Sequence, residues 1–273
     1  MLPGVYLARK KDGTSYYRSS ITFQNKHISL GSFASEQTAH EAYQEAACLL
    51  FDSSTAFDDV FSLPTILNFD KVISLLNFRD NHIYFKNPIY LRNNYFVYYL
   101  SQTEELKFDI DDLFYYSSHK IMRRQGHLFV SDYGMQVSIL SRYGIKSHAV
   151  AGRDYYFANE DPLDLRYSNI IVINRYYGVT KISSPGSDSY KVQIHINGNY
   201  TVGTYQKEEK AAIAYNKAVD LAKTHGVQKN FQTNYLEGYS PREYAELYSQ
   251  IKLSKKYLHY LQTISDNSGA AKS

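Results

Sequence analysis

The sequence predicts an α+β protein: two small modules of three strands and a helix, one at each end, around a central α+β domain, with a C-terminal helix after the second module. Three observations predict this. The chain repeats itself once, at its two ends. Each repeat shows the two-residue alternation of half-buried strands, followed by alanines at helical spacing. The segment between the repeats follows neither pattern and carries short apolar and aromatic runs instead.

The repeat is read residue by residue. Residues 4–47 and 178–219 both begin Gly-Val. Tyr17-Arg18 matches Tyr190-Lys191, Ile21 matches Ile194, and Gly31 with Phe33 matches Gly203 with Tyr205. Glu36, Ala39, Ala42, Tyr43 and Ala46 match Glu208, Ala211, Ala214, Tyr215 and Ala218. One residue is lost between the copies where Gln24-Asn25-Lys26 faces Asn197-Gly198-Asn199, which marks a hairpin turn.

Each element follows from this register. A first strand starts at Gly-Val. A second, Tyr17–Phe23 or Tyr190–Ile196, turns into a third that ends at the glycine. Ser35, or the segment 204–207, leads into a helix with glutamate in its first turn, where the helix dipole favours an acid. Ala39, Ala42, Tyr43, Ala46 and Leu50 share one helix face, as do Ala211, Ala214, Tyr215, Ala218 and Ala222. Small side chains there let the helix lie close on a three-stranded sheet. The other sheet face is left polar and uncovered. Arg18, Ser20 and Thr22 share it in the first copy, and Lys191, Gln193 and His195 in the second.

Residues 71–174 form the expected central domain, with Gly126–Val130 as a strand. Residues 1–51 and 175–238 are the two end modules, and 52–70 is an acidic linker holding Asp52, Asp58, Asp59 and Asp70 without a Lys or Arg. Residues 239–264 read as a C-terminal helix, with Tyr244, Leu247, Ile251, Leu258 and Leu261 at helical spacing. That helix packs back on the chain or forms a homodimer contact. Residues 265–273 read as a disordered tail.

The net charge of +3 decides little, but its distribution is uneven. Residues 117–153 carry six basic groups against Asp132, and residues 175–235 carry eight against four acids. Such concentrations suit a polyanion or are solvated faces. Tyr is abundant at 28 residues and Trp is absent. The lone Cys48 offers no disulfide or zinc framework and reads as a small buried filler. No apolar run approaches a membrane span, so a reducing, cytoplasmic location is the expectation.

The pattern of Gly-Val, an aromatic-basic pair, Leu30-Gly31-Ser32-Phe33 and Glu-x-x-Ala-x-x-Ala-Tyr resembles the AP2/ERF DNA-binding domain, in both copies. His225-Gly226 and Asn230 to Asn234 give the second copy the family-like ending. Tyr stands where that family often has Trp. Residues 152–170 resemble the core of HNH homing endonucleases, several of which carry AP2 modules. Asp154, Asp164, Arg166 and Asn169 match that motif. Tyr155 stands in place of the catalytic histidine, and Leu165 in place of an asparagine. Hydrolysis in such a site needs an imidazole base and a divalent metal, and a tyrosine of pKa near 10 is a poor base. His127 and His148 are the nearby substitutes.

The resemblance implies a sequence-specific double-stranded DNA-binding protein. It would be a transcriptional regulator of bacterial or mobile-element origin, nucleoid-associated, whose HNH-like core has lost cleavage and needs no metal or other cofactor. Two linked modules imply a bipartite DNA site. The expected contacts in the modules are Arg9, Lys10, Arg18, Ser20, Thr22 and Lys26, then Lys181, Lys191, Gln193 and His195. Arg123, Arg124, Arg142, Lys146, Arg153 and Arg166 would reach phosphates from the core, although Arg166 can equally pair with Asp154 or Asp164. Two other readings remain open: an active metal-dependent endonuclease, and a phage or mobile-element protein that inhibits a host nuclease.

Overall fold

A computed structural model describes residues 1–52, 57–60 and 65–270. The chain divides into two compact units, one of residues 1–142 and 157–170, the other of residues 143–156 and 171–273. The architecture is mixed α+β, built on small antiparallel sheets.

The first unit opens with strands β1 (Val5–Arg9), β2 (Ser15–Phe23) and β3 (Lys26–Phe33), which form an antiparallel sheet in chain order. The β2–β3 turn is two residues long, with Gln24 and Asn25 both at positive φ, as a tight hairpin that matches the strand twist requires. Helix α1 (Glu36–Phe51) comes next. Ser35 caps it, its hydroxyl accepting the Thr38 N–H at 3.0 Å. Ala39, Ala42 and Ala46 are fully buried against the sheet. Cys48, two residues beyond Ala46, is exposed rather than buried, because the alanine stripe faces the other way.

After helices α2 (Phe57–Val60) and α3 (Phe69–Asn81) come β4 (Ile89–Leu91), β5 (Tyr95–Ser101) and β6 (Glu104–Asp109), a second antiparallel sheet. The expected linker 52–70 thus holds α2 and the start of α3, while residues 53–56 and 61–64 lie outside the described ones. Helix α4 (Leu113–Ser118) leads to a third sheet of β7 (Ile121–Arg124), β8 (His127–Asp132) and β9 (Met135–Ser138). One core joins the first module to α3 and the second sheet. Ile21, Ile28, Ala42, Ala46 and Leu49 pack with Val72, Leu75 and Leu76 of α3 and Val97 of β5. Phe23 sits edge-on between Phe51 and Phe78, with ring centroids 5.4 and 5.3 Å away. The boundary drawn at residue 71 is therefore a change of pattern along the chain, and the hydrophobic core runs across it.

Strands β10 (Tyr155–Phe157) and β11 (Ile170–Val172) are short, and the division between units falls within them. The second unit then repeats the opening plan: β12 (Val179–Ser184), β13 (Ser187–His195), β14 (Asn199–Tyr205) and helix α5 (Glu208–Thr224). The third strand runs two residues past the glycine in both copies, to Phe33 and Tyr205.

The matched residues of the repeat have matched jobs. Gly4 and Gly178 stand at φ +75° and +67°. A Cβ added to them would meet the rings of Tyr43 and Tyr215 at 2.1 and 2.2 Å, so each glycine is the seat of the helix tyrosine. The glycine carbonyls accept the N–H of Ser20 and of Gln193 at 3.0 and 2.8 Å. A β-bulge occurs at one place in both sheets, where Leu30 or Val202 is the extra residue before Gly31 or Gly203. Both bulged side chains are buried.

The C-terminal segment is two helices rather than the one expected over 239–264. Helix α6 (Pro241–Gln250) begins with a capping box between Ser240 and Glu243. Helix α7 spans Lys255–Ala270. The break has a cause: the Ser254 N–H and hydroxyl bond the carbonyls of Val202 and Thr201, both at 2.7 Å. Lys217 Nζ meanwhile donates to the carbonyls of Tyr248 and Ile251 at the end of α6. Ile251, Tyr257 and Leu261 are buried in the unit's own core with the apolar face of α5. Of the expected tail, residues 265–270 continue α7 and residues 271–273 lie outside the described ones. Among the described residues, no helix is long and apolar enough to cross a membrane.

Candidate nucleic-acid interface

Strand register decides which side chains share the outer face of each sheet. In the second sheet, Thr180 pairs with Lys191 and Lys191 with Thr204, Gln193 with Thr201, and His195 with Asn199. The expected trio Lys191, Gln193 and His195 is therefore together on one face, opposite the buried Val192 and Ile194. His195 Nδ1 bonds Asn199 Oδ1 at 2.9 Å, which leaves Nε2 as the ring's remaining polar atom. Lys181 is not on that face. Its register partner is Tyr190, its N–H goes to Asn174 Oδ1 and its ammonium pairs with Asp188 at 2.6 Å.

The outer face of this sheet is walled on one side. The segment Lys146–Asp154 borders it and encloses a cleft of about 290 Å³, lined by Lys146, His148, Arg153, Gln193, His195 and Asn199 among others. The Lys146 ammonium sits 4.6 Å from the centre of the Tyr177 ring, a cation–π distance. Burial lowers its pKa from the ordinary lysine value to about 8, against the opposite pull of Asp154 and Glu208. The His148 ring lies 5.6 Å from that of Tyr177. Tyr177 is itself fixed by Asn234, which accepts its N–H at 2.6 Å and donates to its carbonyl at 3.1 Å. Asn234 also exchanges bonds with Asn216 of α5. This buried pair is what the Asn230–Asn234 ending does in the fold.

The wall is held by Asp154. Its carboxylate accepts the Val150 N–H at 2.8 Å, Asn174 Nδ2 at 2.9 Å and the Arg153 guanidinium. Burial pushes its pKa up, but these donors outweigh it and bring the value to about 2. Tyr155, next to it, is buried, and burial raises its phenol pKa further.

The first sheet presents a plainer face. Arg18 is exposed and donates to Tyr16 Oη at 2.9 Å. Thr22 lies 3.5 Å from His27 Nδ1. Ser20 belongs to the same face by register but is buried, at 8% exposure. Arg9 and Lys10 are exposed at the far end of β1. Lys26 pairs with Phe23 and so lies on the helix-facing side, where its ammonium rests 5.3 Å from the Tyr84 ring.

Most of the expected phosphate contacts of the core are already paired. Arg123 is bidentate to Glu104. Arg142 bonds the buried Asp112 and lies over Tyr115 at 4.2 Å. Arg166 bonds Asp164, at 2.8 and 2.6 Å, and sits over Tyr95, so Asp164 rather than Asp154 is its partner. The Arg166 guanidinium is the main reason the Asp164 pKa is lowered. Asn169 donates to the carbonyls of Asp161 and Asp164 and accepts the Asn159 N–H. Asp164 and Asn169 thus tie together the loop that Leu163 and Leu165 join to Lys107 of β6. Arg124 is exposed, with His127 at the same hairpin. Among the described residues, no group of three or more His, Cys, Asp or Glu is arranged to hold a metal.

Sequence reading brought out Gln193, His195, Lys146 and Arg153 of this cleft, and Lys191 on the same sheet face. It missed Tyr177, Asn174 and Asn199, which make its walls. Their signal is absent from strand or helix period because they sit in turns and at strand ends. In comparisons with known proteins, no family model, no curated protein and no solved structure matches the chain.

Proposed function

We propose that the chain is a sequence-specific double-stranded DNA-binding protein, with the second module as its main binding surface. The observation that carries this reading is the outer face of β12–β14, where Lys191, Gln193 and His195 stand together and Gln193 and His195 border a cleft with Lys146 and Arg153. Cations contribute sequence-independent attraction to phosphates, and amide and imidazole groups can read base edges. The first module adds Arg18, Thr22 and Lys10 on a second, smaller face, which suits a bipartite site.

The resemblance of the two modules to AP2/ERF domains and of residues 152–170 to the HNH core points the same way. In this reading the protein is a transcriptional regulator of bacterial or mobile-element origin, derived from a homing endonuclease and no longer cutting. Tyr155 is a buried phenol with a raised pKa, unsuited to deprotonating water at neutral pH. Asp164 and Asn169 are taken up by hydrogen bonds within their own loop.

Selection from random duplex oligonucleotides with purified protein tests the proposal. A recovered consensus with nanomolar to sub-micromolar binding is expected. Recovery of unenriched sequence would sink sequence specificity. Nicking of the selected duplex with Mg²⁺ or Mn²⁺ would instead favour an active nuclease.

A further inference from the structure

Lys146 is out of keeping with its surroundings. A lysine amine drawn half out of water usually finds a carboxylate. Among the described residues, that of Lys146 has no ion pair and no hydrogen bond, only the Tyr177 ring at 4.6 Å. The nearby carboxylates are held by other cations: Asp154 by Arg153, with Asn174 and Val150, and Glu208 through one oxygen by Arg175 at 2.7 Å, its other oxygen being buried without a hydrogen bond. The amine therefore stays in a cleft whose other polar walls are Arg153, His148, His195, Gln193 and Asn199. Placing a cation there disfavours the fold, and a bound anion would reverse that cost.

We propose that this cleft is a phosphate site, in which the Lys146 ammonium, seated against Tyr177, takes one backbone phosphate of a DNA strand lying on the outer face of β12–β14. His148 and His195 border the site, and Arg153 borders it as a cation already paired with Asp154. The proposal rests on the DNA-binding reading for the source of the phosphate, while the oxyanion chemistry itself does not depend on it. It also makes binding sensitive to pH. The charged groups around Lys146 are Asp154, Glu208 and Arg153, with the two histidines at the rim. The amine is charged below about pH 8 and neutral above it. Phosphate favours the charged form, so affinity is high at neutral pH and falls as pH rises through that value and beyond.

The experiment has two arms, each with the wild-type chain and Lys146→Met. In one, inorganic phosphate is titrated and followed by NMR from pH 7 to pH 9.5. In the other, the selected duplex is titrated at several salt concentrations. The expected results are phosphate binding that weakens across that pH range and is lost in Lys146→Met. DNA affinity should drop about tenfold in the variant, evenly over all sequences, with a salt slope smaller by about one. The variant should also melt higher than wild type at pH 7, which a merely structural lysine would not do. The wild-type pH profile needs no variant and guards against misfolding. DNA binding with unchanged affinity and salt slope in Lys146→Met overturns the phosphate site and leaves the DNA reading intact. Binding of inorganic phosphate without binding of duplex keeps the site for a free phosphate ligand and overturns the DNA reading. Binding of neither overturns both.

Discussion

The two end modules share a backbone plan and differ in what surrounds it. Both seat a helix tyrosine on a glycine, bulge the third strand before a second glycine and bury three or more alanines under the sheet. Around the first, α1 packs onto α3 and the next sheet. Around the second, α5 packs onto α6 and α7, while residues 146–154 wall the outer sheet face. The first face carries exposed Arg18 and Lys10. The second is a cleft with a half-buried lysine. The difference teaches that the scaffold of a duplicated module is preserved by its internal contacts, and that the surroundings of its outer face are set by unrepeated segments docked against it.

Removing the support around either module should have the largest effect. Tyr257→Ala in α7, where the ring is 1% exposed, should cost about 3–5 kcal/mol in urea unfolding, and Leu76→Ala in α3 about 2–5 kcal/mol. A cost under about 1 kcal/mol for Tyr257→Ala would mean that α7 is not part of the second core.

The shared glycines sharpen the comparison. Gly178→Ala meets both the Tyr215 ring and the Gln193 carbonyl, at 2.2 and 2.5 Å, whereas the three nearest atoms facing Gly4→Ala all belong to the Tyr43 ring. A ring can shift and backbone cannot, so the expected losses are about 3 kcal/mol for the second module and about 1–2 kcal/mol for the first. Equal losses would show that the two seats are equally tight.

Acid should act on the wall of the cleft. The folded-state pKa of Asp154 is lowered from 3.8 to about 2. A depressed carboxyl contributes stability that is complete above the unfolded value and disappears as pH falls through the folded one. The window is therefore pH 4 to 2, with about 2 kcal/mol at stake. Asp154→Asn should remove that step from the pH dependence of unfolding.

On DNA, Lys191→Ala should weaken binding about tenfold and Arg18→Ala about threefold, measured at fixed salt. The reverse order would make the first module dominant. The smallest effect is expected from Arg123→Ala. Its pair with Glu104 is largely exposed, so stability should change by under about 0.5 kcal/mol, and DNA affinity should not change.

Legibility in the sequence varied by kind of feature. The hairpins, the alanine stripes and the outer trio Lys191, Gln193 and His195 are local, because strand and helix period alone decide which face a side chain takes. The site residues that moved were those governed by side-chain partners, near or far along the chain, rather than by strand alternation. Lys26 turned to Tyr84, Lys181 to Asp188 and Arg142 to Asp112. Ser20 is on the expected face yet covered, which alternation cannot show. The C-terminal helix broke because Ser254 binds β14, more than fifty residues away.

By itself, the sequence determined the duplicated module, since a repeat with period-two strands and an alanine-faced helix has one economical packing. Only the tertiary structure decided which cations are paired and which one is left in a cleft. Ion pairing is a through-space matter of a few ångströms between residues such as Arg142 and Asp112, thirty positions apart. That Lys146 has no carboxylate partner among the described residues arises in the same way, with Asp154 held by Arg153 and Asn174 and one oxygen of Glu208 by Arg175.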